Sequence, residues 1–236
     1  MNKLTTIIAS SMIAMLSFVS AANSFEYKVG ITGQSAAYYG NATETLKDTG
    51  VKTSDEAIVA FSTMSGFAEI GFESAYGLKF GLEYTPEMIS FKTKSRVIMS
   101  TLGDSVVSGS PEGEDSGTQN ISAAVEDMIT AYLAIPIMDS GVHIKVGYSQ
   151  ASLVTSETLA TGSTYKDVDL SGATAGVYYD GSLGDMAFYR LEGAYNTFDD
   201  LLLTGSEEGI ASSGSYNKID AELGGVAAKL SVGLQF

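Results

Sequence analysis

Hydrophobic and polar residues alternate with period two along most of this chain, most cleanly at the C-terminus. There Leu230, Val232, Leu234 and Phe236 fall on one face, and Lys229, Ser231, Gly233 and Gln235 on the other. Successive strand side chains point to opposite faces, so the pattern predicts a strand that is apolar on one side and polar on the other. The same rhythm predicts strands over residues 25–32, about 59–73, 78–84, 128–135, 142–148, about 170–179 and 186–195. With the C-terminal strand this makes eight.

The connections between these strands alternate in length. Ser74-Ala75-Tyr76-Gly77, Met138-Asp139-Ser140-Gly141 and residues 180–185 read as short turns. Residues 41–56, 85–127, 151–168 and 196–218 read as long connections. An even number of antiparallel strands with short periplasmic turns and longer extracellular loops describes a transmembrane β-barrel. A soluble β-sandwich also alternates, but here the polar face carries charge on nearly every strand. A ten-stranded barrel would need one more hairpin within 85–127. Lys92, Lys94 and Arg96 share a face of the 89–99 segment, and no turn signal divides it. The segment therefore reads as a hairpin arm above the membrane.

Composition narrows the picture. The chain has 236 residues, with 13 Lys and Arg against 28 Asp and Glu, a net charge of −15. That balance argues against a nucleic-acid partner and against attraction to anionic headgroups. Trp is absent while Tyr numbers 13 and Phe 10, so aromatic girdles would be built from Tyr and Phe. With no Cys there is neither a disulfide nor a lipidated N-terminal Cys. Residues 1–22 read as a cleavable signal peptide: Lys3 gives a positive start, an apolar stretch runs from Leu4 to Val19, and Ser20-Ala21-Ala22 offers small residues for cleavage. The expectation is one barrel domain over residues 23–236. After residue 22 no apolar run is long enough for a transmembrane helix.

Two features carry a family resemblance. Tyr132-Leu133-Ala134-Ile135-Pro136 before a tight turn, and the alternating last strand ending on Phe236, resemble small bacterial outer-membrane barrels of the opacity and OmpA-OmpX type. The resemblance implies an eight-stranded antiparallel transmembrane β-barrel in the bacterial outer membrane, surrounded by lipid and monomeric. It also implies that Phe236 belongs to the signal read by the barrel-assembly machinery.

Candidate chemistry lies on the polar faces. The acids Glu26, Glu69, Glu73, Glu83 and Glu192 and the bases Lys28, Lys79, Lys145, Arg190 and Lys229 would point into the lumen. Eight strands leave room for little beyond side chains. Equal numbers of each sign therefore suggest a neutral ion-pair network, not a wide diffusion pore. Other acids crowd the long connections: Glu112, Glu114, Asp115, Glu126, Asp127, Asp199, Asp200, Glu207 and Glu208. Such loops suit a structural or surface-interaction role, in adhesion or recognition. The alternative is a porin-like channel for ions or small solutes. Acidic loops can also offer oxygens to divalent cations, though solubility alone accounts for them. Asp167-x-Asp169-x-Ser171-Gly172 begins like a calcium loop, but Tyr178 stands where the bidentate Glu belongs. The single His, His143, falls beside a periplasmic turn with no Ser and Asp in triad order. No catalytic, cofactor or metal site is expected. Phe198, Leu201, Leu202 and Leu203 make an apolar patch in the last connection, packed on neighbouring loops or turned toward a partner.

Overall fold

Strand β1 (Phe25–Thr45) pairs antiparallel with β2 (Lys52–Phe72), and successive neighbours follow in sequence order: β3 (Leu78–Ile98), β4 (Gly117–Pro136), β5 (Val142–Thr158), β6 (Val168–Ser182) and β7 (Ala187–Phe198). The last long strand, β9 (Lys218–Gln235), pairs with β7 on one side and with β1 on the other, closing the sheet into a barrel. The short β8 (Leu201–Thr204) continues the line of β7 along β9 after a break at Asp199-Asp200. The barrel therefore has eight staves. This computed structural model describes residues 25–45, 52–72, 77–98, 117–158, 165–205 and 218–236.

The register fixes the barrel's size. Hydrogen-bonded neighbours lead from Lys28 through Glu69, Gly81, Tyr132, Gly147, Thr174, Asn196 and Gly225 back to Tyr38. The path returns to β1 ten residues above its start. A shear of that size on eight strands implies a tilt of about 40° and a backbone radius of about 8 Å, so the interior just fits side chains.

Outside, the wall is apolar. Between the lower and the upper tyrosines of the staves no Asp, Glu, Lys or Arg occupies an outward position. Val29, Ile31, Val146, Leu191, Leu230 and Val232 are all exposed there. Tyr27 and Tyr179 stand exposed near the short turns, and Tyr84, Tyr148 and Tyr195 six to eight residues further up their strands. A closed antiparallel barrel with a charge-free belt between tyrosine tiers is the architecture of an outer-membrane barrel.

The strands are longer than the sequence pattern predicts. The segment expected to be a loop over 41–56 is largely paired, Asn41 with Glu56 and Thr45 with Lys52. β5 runs to Thr158 within the expected 151–168 loop. The 89–98 segment pairs with residues 117–125 of β4 as an arm, with bulges after Glu87 and Phe91. Above the membrane both faces of a strand can be polar, so the alternation disappears while the backbone ladder continues.

One seam of the wall does not close. β2 pairs with β3 only from Phe72↔Leu78 up to Gly66↔Tyr84. Above that, Lys52–Ser65 pairs with β1 alone and Thr85–Ile98 with β4 alone. Pro86 stands where the next rungs would form and has no backbone N–H to give. The bulge between Glu87 and Ile89 then turns β3 away. Across the parting Thr63 Oγ1 donates to the Glu87 carbonyl at 2.6 Å, and just below it Ser65 Oγ donates to Glu83 at 3.0 Å.

Candidate functional site: a charged plug under an apolar cup

The interior is filled in tiers. Nearest the short turns, Lys28 Nζ lies 2.8 Å from Asp180 and 3.3 Å from Glu26. Lys79 Nζ lies 3.3 Å from Glu26 and 3.6 Å from Asp180. Arg190, 1% exposed, donates from Nε to Asp180 Oδ1 at 2.7 Å and from Nη2 to Glu69 Oε1 at 3.0 Å. Its guanidinium also stacks 3.8 Å over the Tyr178 ring and 4.7 Å over Phe67. Glu69 accepts two further bonds, from Tyr132 Oη at 3.0 Å and Tyr178 Oη at 3.2 Å. A buried carboxylate is tolerable only when satisfied in this way.

Tyr132 lies across the lumen, and its ring sits where a side chain at Gly81 would project. A Cβ at position 81 would collide with the ring, so the residue must be glycine for the tyrosine to cross. Over the ring, 4.2 Å from its centroid, stands Lys145 Nζ.

Lys145 belongs to a second tier, a closed square of alternating charge. Its Nζ lies 2.8 Å from Glu83 and 2.9 Å from Glu192. Lys229 Nζ lies 2.7 Å from Glu83 and 3.6 Å from Glu192. The four come from β3, β5 and the adjacent pair β7 and β9, where Glu192 and Lys229 stand in register, so the square reaches across the bore. Above it hydroxyls and an amide take over. Thr130, Ser149, Thr174, Asn196 and Tyr38 form one continuous chain of bonds of 2.6–2.8 Å, and Thr32 meets Ser231 at 2.7 Å.

Each tier is neutral by itself, three acids with three bases below and two with two above. The sequence assignment lacked one member of these tiers, Asp180. Glu73 lies outside the described residues, and Asp180, expected in a turn, is instead in β6 opposite Arg190. Asp180 could have been found from the even-numbered inward positions of β6, of which Thr174 and Tyr178 are members. The Gly181-Ser182 pair that follows makes it read as a turn residue.

Above the polar tiers the interior turns apolar. Met88, Val125, Met128, Leu153, Leu170 and Phe198 are buried together, with Val59, Phe61 and Leu223 packed against them. The patch expected in the last connection divides here: Phe198 and Leu203 are buried in this cluster, Leu201 packs on it, and Leu202 is exposed. Inside this upper half is a cavity of about 980 Å³.

The remaining candidates are quickly placed. His143 stacks on Tyr178 at 4.6 Å, with Nδ1 3.2 Å from the Gly141 carbonyl oxygen. Asp167 accepts a bond from the Thr155 backbone N–H. Among the described residues no group of His, Asp and Glu is arranged to hold a metal ion. Glu112, Glu114, Asp115, Glu207 and Glu208 lie outside the described residues, while Glu126 and Asp127, expected in a long connection, are in β4, where Asp127 accepts a bond from Tyr84 Oη. Phe236 exchanges both backbone bonds with Tyr27, at 2.9 and 3.0 Å, while its ring is 64% exposed.

No family model matches the chain, and no curated protein matches it. Among solved structures it is similar to the outer membrane protein OprG from Pseudomonas aeruginosa, at 15% identity and a TM-score of 0.46, over 89% of this chain and 97% of that one. It is similar to Ail, the attachment invasion locus protein of Yersinia pestis, at 12% identity and a TM-score of 0.38, over 88% and 99%. It is also similar to the outer membrane protease OmpT from Escherichia coli, at 11% identity and a TM-score of 0.41, over 92% and 98%.

Proposed function

We propose that this is a sealed outer-membrane barrel, acting at its outer face in adhesion, in recognition or as a structural element of the envelope. The observation that carries the reading is the square of Glu83, Lys145, Glu192 and Lys229, whose charges face one another across the bore at 2.7–3.6 Å. Opening a water path there means separating buried ion pairs, which costs about 3–5 kcal/mol for each partner left alone. The alternative, a small channel for ions or solutes, needs that path.

The reading is also non-enzymatic. The only imidazole is stacked on Tyr178 beside a short turn, away from the acidic rim. Residues 1–22 direct export and are then removed, and insertion follows recognition of the last strand by the barrel-assembly machinery. N-terminal sequencing of membrane-extracted protein should begin at Asn23.

Planar-bilayer recording tests the seal. The purified barrel should give no steady conductance steps above the bare bilayer. The Lys145→Ala/Glu83→Ala double variant, which opens the square without leaving a net charge, should give them. Regular steps from the unmodified protein would establish the channel instead.

A further inference from the structure

The cavity of the upper half is not confined to the bore. Seven consecutive residues of β2, Ala57 to Thr63, line it. A strand in a closed wall shows a lumen only alternate residues. Lining by both faces means that the cavity wraps around the free edge of β2 and reaches outside through the parting between β2 and β3. On the outer side of that edge stand Ile58, 79% exposed, and Met64. The parting begins directly above Gly66↔Tyr84, at the upper tier of tyrosines, where the headgroups of the outer leaflet would lie.

The lining has a chemical sign. Val59, Phe61, Met88, Leu153, Leu170 and Leu203 supply an apolar wall. Among the described residues the charged ones that touch the cavity are Asp55, Glu87, Asp199 and Glu222, and none is Lys, Arg or His. Below it the hydroxyl chain and the charged square close the floor. Its volume lies at the upper end of the range for small-molecule sites, which are mostly apolar with a few placed polar groups.

We propose that this cavity binds a cationic amphiphile, whose apolar body enters sideways between β2 and β3 and whose positive head stays at the acidic rim. The wall takes the chain, the rim takes the head, and an anionic head of the same length is repelled. Pro86 keeps the entrance open by denying β3 the rung that would join it to β2. The proposal rests on the barrel being floored by its plug. The two fail separately, since conductance reads the plug and quenching reads the cup.

The absence of Trp makes the test clean. Phe61→Trp places a fluorophore in the cavity, and Met64→Trp places one on the outer, lipid-facing side. Each variant, in zwitterionic vesicles at mildly alkaline pH, is titrated with dodecyltrimethylammonium brominated at its chain end, and with the matching brominated dodecanoate. The cation should quench the Phe61→Trp variant saturably. Its half-point should lie about tenfold below that of the carboxylate, a difference of about 1.4 kcal/mol, and below its own half-point for the Met64→Trp variant. Quenching that rises alike at both positions is partition into the bilayer and overturns the site. Equal half-points for the two quenchers overturn the cationic class.

The route has its own test. Thr63→Cys with Glu87→Cys, added to the Phe61→Trp chain, should form a bridge across the parting, since the Thr63 side chain already reaches the Glu87 backbone. Oxidation should slow the onset of quenching at least about tenfold, and reduction should restore it. If the bridge does not form, a bulky maleimide on the single Thr63→Cys variant should do the same. Unchanged onset in the blocked protein overturns lateral entry.

Discussion

Arg190→Ala should be the most damaging single truncation in the lower tier. The side chain is buried and touches two carboxylates, Asp180 through Nε and Nη2 and Glu69 through Nη2. Without it Glu69 keeps two tyrosine hydroxyls and Lys79 at 3.9 Å, and Asp180 keeps Lys28 and Lys79. Removing one partner of a buried pair costs about 3–5 kcal/mol. The remaining donors place the expected loss at the lower end, about 3 kcal/mol. With a urea slope of about 1–3 kcal/mol per molar, the unfolding midpoint in lipid vesicles should fall by about 1–3 M. Lys218→Ala, at the exposed start of β9, should stay within about 0.5 kcal/mol of the parent. Adding Glu69→Gln to Arg190→Ala should recover part of the loss, because the orphaned charge is then gone. Equal midpoints for Arg190→Ala and Lys218→Ala would refute the buried-network account. A Glu69→Gln addition that worsens the variant would refute the orphan-charge reason for it.

Gly81→Ala should lower the unfolding free energy by about 1–3 kcal/mol, read from the same midpoint, because the new methyl meets the Tyr132 ring, while Gly33→Ala, with open space around it, should be silent. Phe236→Ala should slow the appearance of heat-modifiable protein in cells and leave the urea midpoint of refolded protein nearly unchanged. This side-chain change is cleaner than deletion, which also removes the two backbone bonds to Tyr27. A fluorophore on Val146→Cys should be dimmed by a lipid-soluble quencher while one on Lys145→Cys stays bright, and no difference between these neighbours would put the register of β5 in error.

Much of this barrel was legible in the sequence wherever burial acts on one face only. Within the membrane belt lipid and lumen impose opposite demands on neighbouring residues. Val146 and Lys145, or Leu191 and Arg190, therefore stand out as pairs. Beyond the belt that contrast vanishes. β1 and β2 continue past Gly40 and Ala57 by backbone pairing, with a Thr43–Ser54 hydroxyl bond, which leaves no periodic apolar trace. The cup escaped for a related reason: its inward residues, Val59, Phe61 and Leu153, are apolar where the pattern leads one to expect polar ones. Asp180 was hidden by the glycine and serine that follow it. Nor does any local signal announce a missing ladder, although Pro86 was visible and stands where β2 and β3 part.

The plug also has a bearing on how the chain is put together. Its contacts join residues far apart in sequence: Glu83 and Lys229 are separated by 146 positions, and Glu69 and Arg190 by 121. Lys229 sits on β9, the stave that closes the ring by pairing with β1. Until that strand docks, Glu83 and Glu192 lack one of their two lysines, and the half-built sheet holds charge it cannot neutralise. Non-local pairings of this kind reward a chain only when it is nearly finished. A truncated or stalled chain would thus have no stable sealed form to rest in, and closure of the ring and neutralisation of its bore become a single event.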